Sequence, residues 1–302
     1  MMRIILSVED RRGRNSYFVG DDGKTYSIVE AIALARSGQI ADVRVATRGG
    51  TPYLRSSRKR NTQFTLQEIT VAEAPLLRAT TNTSKLISQQ AYRPYWAWYQ
   101  KYLESQAKNG VVRIAVDGHY FSTDAHVREK LTPLKEHIVD AAKKSNVDSY
   151  LLGGILIDEI VRLAPFEDIT DTLLLNVPGW DVSVGTGQVS LRTAKDLIKS
   201  GYFNPNPEDQ LLSAPDISGV PPSVLFAYIL EPKNNTFFAA ARIRELIDSW
   251  KSEAGIDLTP EIIATLYSLK YKKPHSSPVA NTRGLQIVNE FVPFAIEILS
   301  GI

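Results

Sequence analysis

Two adjacent acids, Asp158 and Glu159, interrupt the otherwise apolar run of residues 150–163. A carboxylate that leaves water needs a partner, or it takes up a proton and becomes neutral. A protonated carboxyl group against apolar walls can give its proton to a leaving oxygen, as the general acid in glycoside cleavage does. A structural role is the alternative, because Arg162 lies three residues beyond Glu159 and could pair with it.

A glycine-rich turn follows the two acids along the chain. It reads Ser183-Val184-Gly185-Thr186-Gly187-Gln188-Val189. Ser190 after it can cap a helix that reaches Lys199 and stops at Gly201. A buried acid followed by such a turn and a glutamine is the strongest chemical signal in the sequence.

Helices must position both features. The apolar run predicts a buried helix at 150–163, and apolar residues spaced by three and four predict an amphipathic helix through 131–142. Further helices are predicted at 222–230, 235–253, 260–269 and 283–299, with Pro293 kinking or splitting the last. Residues 126–302 are therefore predicted to form an all-α domain.

Residues 1–72 are predicted to form a small α/β domain. The pattern predicts strands at 3–8, 15–19, 43–46 and 52–55, with a helix at 26–35 capped by Ser27. Residues 1–70 resemble a small uncharacterised bacterial domain in the segments YSIVEAIALARSGQI and VRVATRGGTPYLRSSRKRNTQFTLQEI. That resemblance implies a fold unit and assigns no activity. The fold class predicted for the whole chain is α+β.

Residues 73–125 are predicted to be a structured connector with an aromatic helix. Its rings occupy too many positions to share one helix face, so we expect them to pack on both neighbouring modules. A sugar-stacking platform is the alternative. The rings belong to Tyr92, Tyr95, Trp96, Trp98, Tyr99 and Tyr102.

Composition excludes several kinds of chemistry. The chain has no cysteine, which removes disulfides, thiol nucleophiles and cysteine metal sites. The four histidines lack metal-ligand spacing, so no metal and no cofactor is predicted. No run of apolar residues is long enough for a membrane span. The apolar stretch at residues 4–8 is too short to predict a secretory signal.

Charge is distributed unevenly along the chain. Residues 1–72 carry 12 Lys and Arg against 7 Asp and Glu, whereas residues 126–302 carry 17 against 22, which favours separate modules. The basic run at 55–60 has no aromatic residue among its charges. It is therefore interpreted as a solvated loop, and nucleic acid is not an expected partner.

Three segments of 126–302, taken in order, resemble the lysozyme-like superfamily, particularly lytic transglycosylases and goose-type lysozymes. The acid closes the segment 155–159, the glycine-rich turn ends in Gln188 before a helix containing Thr-Ala, and a late Ala-Thr-Leu-Tyr segment ends at Tyr267. Two positions differ: Ile160 stands where members usually carry serine, and Ser268 where they usually carry asparagine.

The resemblance implies a role for each matched position. Glu159 is the general acid that protonates the oxygen between N-acetylmuramic acid and N-acetylglucosamine. The remaining positions are substrate-binding: the glycines admit a sugar ring, Gln188 bonds its polar groups, and Tyr267 faces the developing charge or Glu159. These substrate-binding residues are Ser183, Gly185, Gly187, Gln188 and Tyr267.

The resemblance leaves the second carboxylate open. Transglycosylases of this superfamily need none, whereas its hydrolases often use an aspartate between the acid and the turn. Asp168, Asp171 and Asp181 are the candidates, and Asp181 ranks first because it is nearest the turn.

The resulting expectation is a muramidase or lytic transglycosylase acting on peptidoglycan. We expect an effector or toxin carried to the target cell wall or periplasm by a dedicated secretion or contractile injection apparatus, with residues 1–72 as its recruitment or loading module. The alternative is a non-catalytic adaptor, or a sugar- or nucleic-acid-binding protein that keeps only the fold.

Overall fold

The computed structural model describes residues 1–57, 64–108, 110–174, 183–269 and 273–301. Within them the chain is an α+β protein in which helices predominate and the sheets are small. The residues form two compact units. Unit 1 contains Met1–Phe121 and the described part of Leu163–Val177, and unit 2 contains Ser122–Arg162 and the described part of Pro178–Ile302. The three-part division at residues 72 and 125 stays a prediction.

The regular elements are numbered along the chain. The strands are β1 (Ile4–Glu9), β2 (Asn15–Gly20), β3 (Thr25–Ser27), β4 (Val43–Arg48), β5 (Thr51–Ser56), β6 (Thr70–Ala72), β7 (Arg113–Val116), β8 (His119–Thr123), β9 (Ser183–Val184) and β10 (Val189–Ser190). The helices are α1 (Ile28–Arg36), α2 (Glu73–Leu76), α3 (Ala79–Ile87), α4 (Arg93–Lys108), α5 (Asp124–Leu131), α6 (Lys135–Ser145), α7 (Ser149–Leu163), α8 (Glu167–Leu174), α9 (Leu191–Lys199), α10 (Pro222–Leu230), α11 (Pro232–Ala254), α12 (Pro260–Ser268), α13 (Thr282–Gln286) and α14 (Val292–Ser300).

Unit 1 begins with a four-stranded sheet in the order β3-β2-β1-β6. The first two predicted strands are confirmed as β1 and β2, which are antiparallel, and β6 joins β1 in parallel. The strands β4 and β5 form a separate antiparallel pair. The short strands β3 and β6 were not predicted.

The predicted helix after Ser27 is confirmed as α1. Ser27 accepts a hydrogen bond from the backbone N–H of Glu30, and the Glu30 carboxylate accepts from the backbone N–H of Ser27. This reciprocal capping satisfies two backbone donors that the first helical turn leaves open. The helix buries Ala31 and Ile32 in a cluster with Phe18.

Aromatic rings around α4 fill much of the rest of unit 1. Tyr92 and Tyr95 contact Phe166, with ring centroids 5.7 and 5.6 Å apart. The Tyr99 hydroxyl donates a hydrogen bond to the carbonyl of Phe121 at 2.7 Å. Edge and stacked contacts of this kind add to the free energy gained from burial of apolar area.

Unit 2 is mainly helical. The predicted split of the last helix near Pro293 is confirmed, because a π-helical turn, Ile287–Phe291, separates α13 from α14. Two details differ from the sequence prediction. The helix expected through 131–142 is interrupted by a 3-10 turn, Thr132–Leu134, that contains a proline. The short pair β9–β10 also lies within the segment that was predicted to be all-α.

The buried helix predicted around the two acids is confirmed as α7. Residues 151–162 of this helix are buried without interruption, so it has no solvent-facing side over that length. None of the described helices is long and apolar enough to cross a membrane.

Candidate functional site

The two acids lie in the last two turns of α7, inside unit 2. Asp158 is 0% exposed and Glu159 is 4% exposed. Because both carboxylates are withdrawn from water, their charge has to be balanced by groups within the protein.

Arg283 from α13 contacts both acids. Its Nε donates to Oδ2 of Asp158 at 2.6 Å, and one terminal nitrogen donates to Oε1 of Glu159 at 2.8 Å. The same terminal nitrogen also forms an ion pair with Asp158. The planar guanidinium, with its fixed set of donors, therefore bridges two neighbouring carboxylates.

Arg162 pairs with Asp158, and this corrects the proposed pairing with Glu159. The Nε of Arg162 donates to Oδ1 of Asp158 at 3.0 Å, an i,i+4 contact within α7. Residues four apart are neighbours on one helix face, which favours this pairing. Arg283 reaches both acids, so the two carboxylates share a cation although they are adjacent in α7.

The signal for Arg283 in the sequence is weak. It follows Asp158 by 125 residues, and in the sequence only its position near the start of a predicted helix sets it apart.

The four charges of Asp158, Glu159, Arg162 and Arg283 form the group that we call the α7 charge cluster.

Tyr267 on α12 links this region to the glycine-rich turn. Its hydroxyl donates a hydrogen bond to the carbonyl of Gly187 at 2.7 Å. Burial raises the pKa of the Tyr267 phenol well above its usual value, and the negative charge of Glu159 raises this pKa further. The positive charges of Arg242 and Arg283 act in the opposite direction and lower it. The phenol therefore stays protonated at neutral pH and keeps its hydrogen bond to Gly187.

The turn itself lies between β9 and β10. Gln188 has a left-handed backbone, with φ of 47°, and its side-chain amide donates to the carbonyl of Gly185 at 2.9 Å. Ser183 is half-buried and pairs with Ser190 across the two strands. Gln188 thus stabilises the turn through its own side chain.

Asn235 of α11 forms hydrogen bonds to the backbone of the turn. Its Oδ1 accepts from the backbone N–H of Gly187 at 2.6 Å, and its Nδ2 donates to the carbonyl of Val184 at 2.8 Å. Asn235 is completely buried, so these hydrogen bonds satisfy polar atoms that have lost water.

Both glycines of the turn are required by this packing. Gly185 has φ of +69°, and a Cβ there would lie 2.4 Å from Nδ2 of Asn235. A Cβ at Gly187 would lie 2.9 Å from Cβ of Ala239. Close approach to α11 thus explains both glycines without a ligand. The substrate-binding role of Ser183, Gly185, Gly187 and Gln188 stays a prediction.

The structure does not select a second carboxylate. Asp181 lies outside the described residues. Asp168 and Asp171 are exposed residues of α8, which belongs to unit 1. Among the described residues, no group of three or more acids and histidines is arranged to hold a metal ion.

Comparisons with known proteins add no further constraint on this site. No protein-family model, no curated protein and no solved structure matches the chain.

Proposed function

We propose that the chain is a peptidoglycan-cleaving glycosidase, a muramidase or lytic transglycosylase, with Glu159 as the general acid. The observation that carries the proposal is the meeting of three segments that are far apart in sequence. Tyr267 is hydrogen-bonded to Gly187, and its phenol lies within the electrostatic reach of Glu159. The acid, the turn and the tyrosine are the three positions on which the resemblance to lysozyme-like enzymes rests.

The proposed reaction starts when Glu159 protonates the glycosidic oxygen between N-acetylmuramic acid and N-acetylglucosamine. General acids of this kind need a proton at the working pH. The guanidinium of Arg283 favours the ionised form of a carboxylate at 2.8 Å. In the proposed mechanism, the entering glycan separates Arg283 from Glu159, while Asp158 keeps its contact with Arg283.

Tyr267 would then act beside the reacting sugar. Because its single O–H is donated to the carbonyl of Gly187, the phenolic oxygen can accept a hydrogen bond from a hydroxyl of the ring. After departure of the leaving group, a lytic transglycosylase closes a 1,6-anhydro ring on the muramic acid, whereas a hydrolase adds water. Delivery by a secretion or injection apparatus, with residues 1–72 as the loading module, stays a prediction.

A second candidate is a non-catalytic sugar-binding or adaptor protein with the same helical fold. The burial of Glu159 and its ion pair with Arg283 favour this candidate, because a buried structural acid needs a cationic partner and no access to substrate. The two candidates differ in one measurable property, the release of soluble fragments from purified peptidoglycan.

The test compares wild type with Glu159→Gln on purified peptidoglycan, with fragments identified by mass. Glutamine keeps the size of the side chain and cannot supply the acidic proton, so we expect at least a ~100-fold lower rate of release. Glu253→Gln is the matched control, because Glu253 is an exposed residue of α11 in the same unit. Anhydro ends on the fragments identify a transglycosylase, and reducing ends identify a hydrolase.

Two results contradict the proposal. If Glu159→Gln releases fragments as fast as wild type, Glu159 is not the acid. If folded wild-type protein releases none, the non-catalytic candidate is correct.

A further inference from the structure

A groove with basic walls lies in unit 2, beside α9. It has a volume of about 430 Å³ and lies between α9, the 3-10 turn Ile217–Gly219 and the start of α10. The residues that line it are Leu191, Arg192, Lys195, Asp196, Lys199, Ile217, Ser218 and Pro222. Its volume falls in the range of pockets for small organic ligands. We refer to it as the α9 groove.

Three cations follow one side of the α9 groove. Arg192, Lys195 and Lys199 are spaced by three and four residues, so they share a helix face. At a rise of 1.5 Å per residue, they cover about 10 Å along the helix axis. Among the described residues that line the groove, Asp196 supplies the only negative charge. The lining charges therefore sum to +2.

Lys195 is fixed at the middle of this row. Its ammonium donates to the carbonyls of Ser218 at 3.2 Å and Val220 at 3.3 Å, on the opposite wall. An ammonium has three donors, so one remains for a further acceptor. The partners of Lys195 are neutral, and therefore its positive charge is not cancelled by them.

The lysines of the groove are not used by internal ion pairs. None of the ion pairs in the described part of the chain includes Lys195 or Lys199. In the α7 charge cluster, by contrast, each arginine bonds a carboxylate. The charges of Lys195 and Lys199 are thus available to a ligand from solution.

The floor of the groove is apolar. Leu191 and Ile217 line it and are 7% and 0% exposed, so they form part of the core beneath the cations. A ligand that fits this surface carries several carboxylates on a short backbone with small apolar groups. Ammonium and guanidinium groups bind the carboxylates, and the floor contacts the apolar groups.

We propose that the α9 groove binds the acidic stem peptides of a peptidoglycan strand. These peptides combine free carboxylates with methyl side chains, which matches the charge and the apolar floor of the groove. Leu191, the first lining residue, follows Gln188 of the glycine-rich turn by three residues. The inference rests on the proposed function and adds peptide recognition to glycan cleavage.

The test measures co-sedimentation of the full chain with purified sacculi. All proteins carry Glu159→Gln, so that binding is read without cleavage. Intact sacculi are compared with sacculi from which an amidase has removed the stem peptides. We expect at least ~5-fold tighter binding to the intact form, weakening as salt is added.

The double substitution Lys195→Gln/Lys199→Gln should reduce binding to the level seen without stem peptides. Lys143→Gln/Lys233→Gln is the matched control, because it removes the same charge from two exposed lysines of unit 2 outside the groove. Circular dichroism verifies that both double variants are folded. The control should bind intact sacculi as well as its parent.

Three results overturn the inference. The first is equal binding to both kinds of sacculi, and the second is equal binding by the groove variant and its parent. The third is binding to single-stranded DNA that is tighter than binding to intact sacculi and is lost in the groove variant. Because sedimentation requires no cleavage, failure of the groove and failure of the proposed glycosidase are read separately.

Discussion

Both units have apolar cores, but they differ in the polar groups that those cores contain. In unit 1, rings around α4 contact one another, and most of the stabilisation comes from buried apolar area. In unit 2, the end of α7 buries two acids and two arginines in one cluster. Aromatic rings can stabilise a core in many relative orientations, whereas a buried charge needs an opposite charge at hydrogen-bonding distance. The comparison therefore separates a core that tolerates the loss of a polar atom from one that does not.

The largest effect is expected for Asp158→Asn in the α7 charge cluster. The neutral amide leaves Arg162 and Arg283 with less negative charge in a buried site, so the free energy of unfolding should fall by about 3–5 kcal/mol. Urea unfolding followed by circular dichroism measures it. Asp140→Asn, at an exposed position of α6, is the control and should change little. Equal stability of the two variants would remove the contrast between the cores.

A smaller loss is expected for Gly185→Ala, in the glycine-rich turn. The methyl group meets Asn235, and the left-handed backbone disfavours alanine, so we expect a loss of about 2–3 kcal/mol in unfolding free energy. Gly219→Ala is the matched control, since a Cβ there meets nothing within 4 Å. The same urea titration compares them. If both glycines tolerate alanine equally, the turn is not held by α11 as described.

The smallest effects are expected in unit 1, and they differ in sign. Tyr99→Phe removes the hydrogen bond to Phe121 and should lower the unfolding free energy by about 1 kcal/mol. The hydroxyl of Tyr92 is buried without a hydrogen-bond partner in the described part of the chain, so Tyr92→Phe should leave stability unchanged or raise it by up to about 1 kcal/mol. Thermal unfolding of the two variants and of wild type measures both changes in stability. A clear loss for Tyr92→Phe would mean that polar atoms matter equally in both cores.

Much of the local structure could be predicted from the sequence because its causes are local. Ser27 caps α1, and Ser190 caps α9 through the backbone N–H of Thr193, as their positions before helical patterns indicated. The largely apolar run at 150–163 predicted the burial of α7, which is buried over residues 151–162. Each of these signals involves residues within a few positions of one another.

The candidate site could be predicted only in part. The acids, the turn and Tyr267 were identified, but Arg283 and Asn235 were missed, although they make the polar contacts that fix the acids and the turn. Both residues are distant in sequence from the groups that they contact. A single arginine or asparagine is not part of a repeating pattern that could predict such a contact. The same limit explains why the two glycines were interpreted as space for a sugar, when α11 fills the space behind them.

The two acids differ in how far along the chain their cations lie. Asp158 has one partner four residues away on its own helix, whereas the contacts of Arg283 with Asp158 and Glu159 span 125 and 124 residues. Closing a long loop costs more entropy than completing a helical turn, so the local pair can form early in folding. Glu159 meets this arginine only after α13 has docked. Assembly of the cluster is therefore expected late in folding, and an acid buried ahead of it would first have to take up a proton.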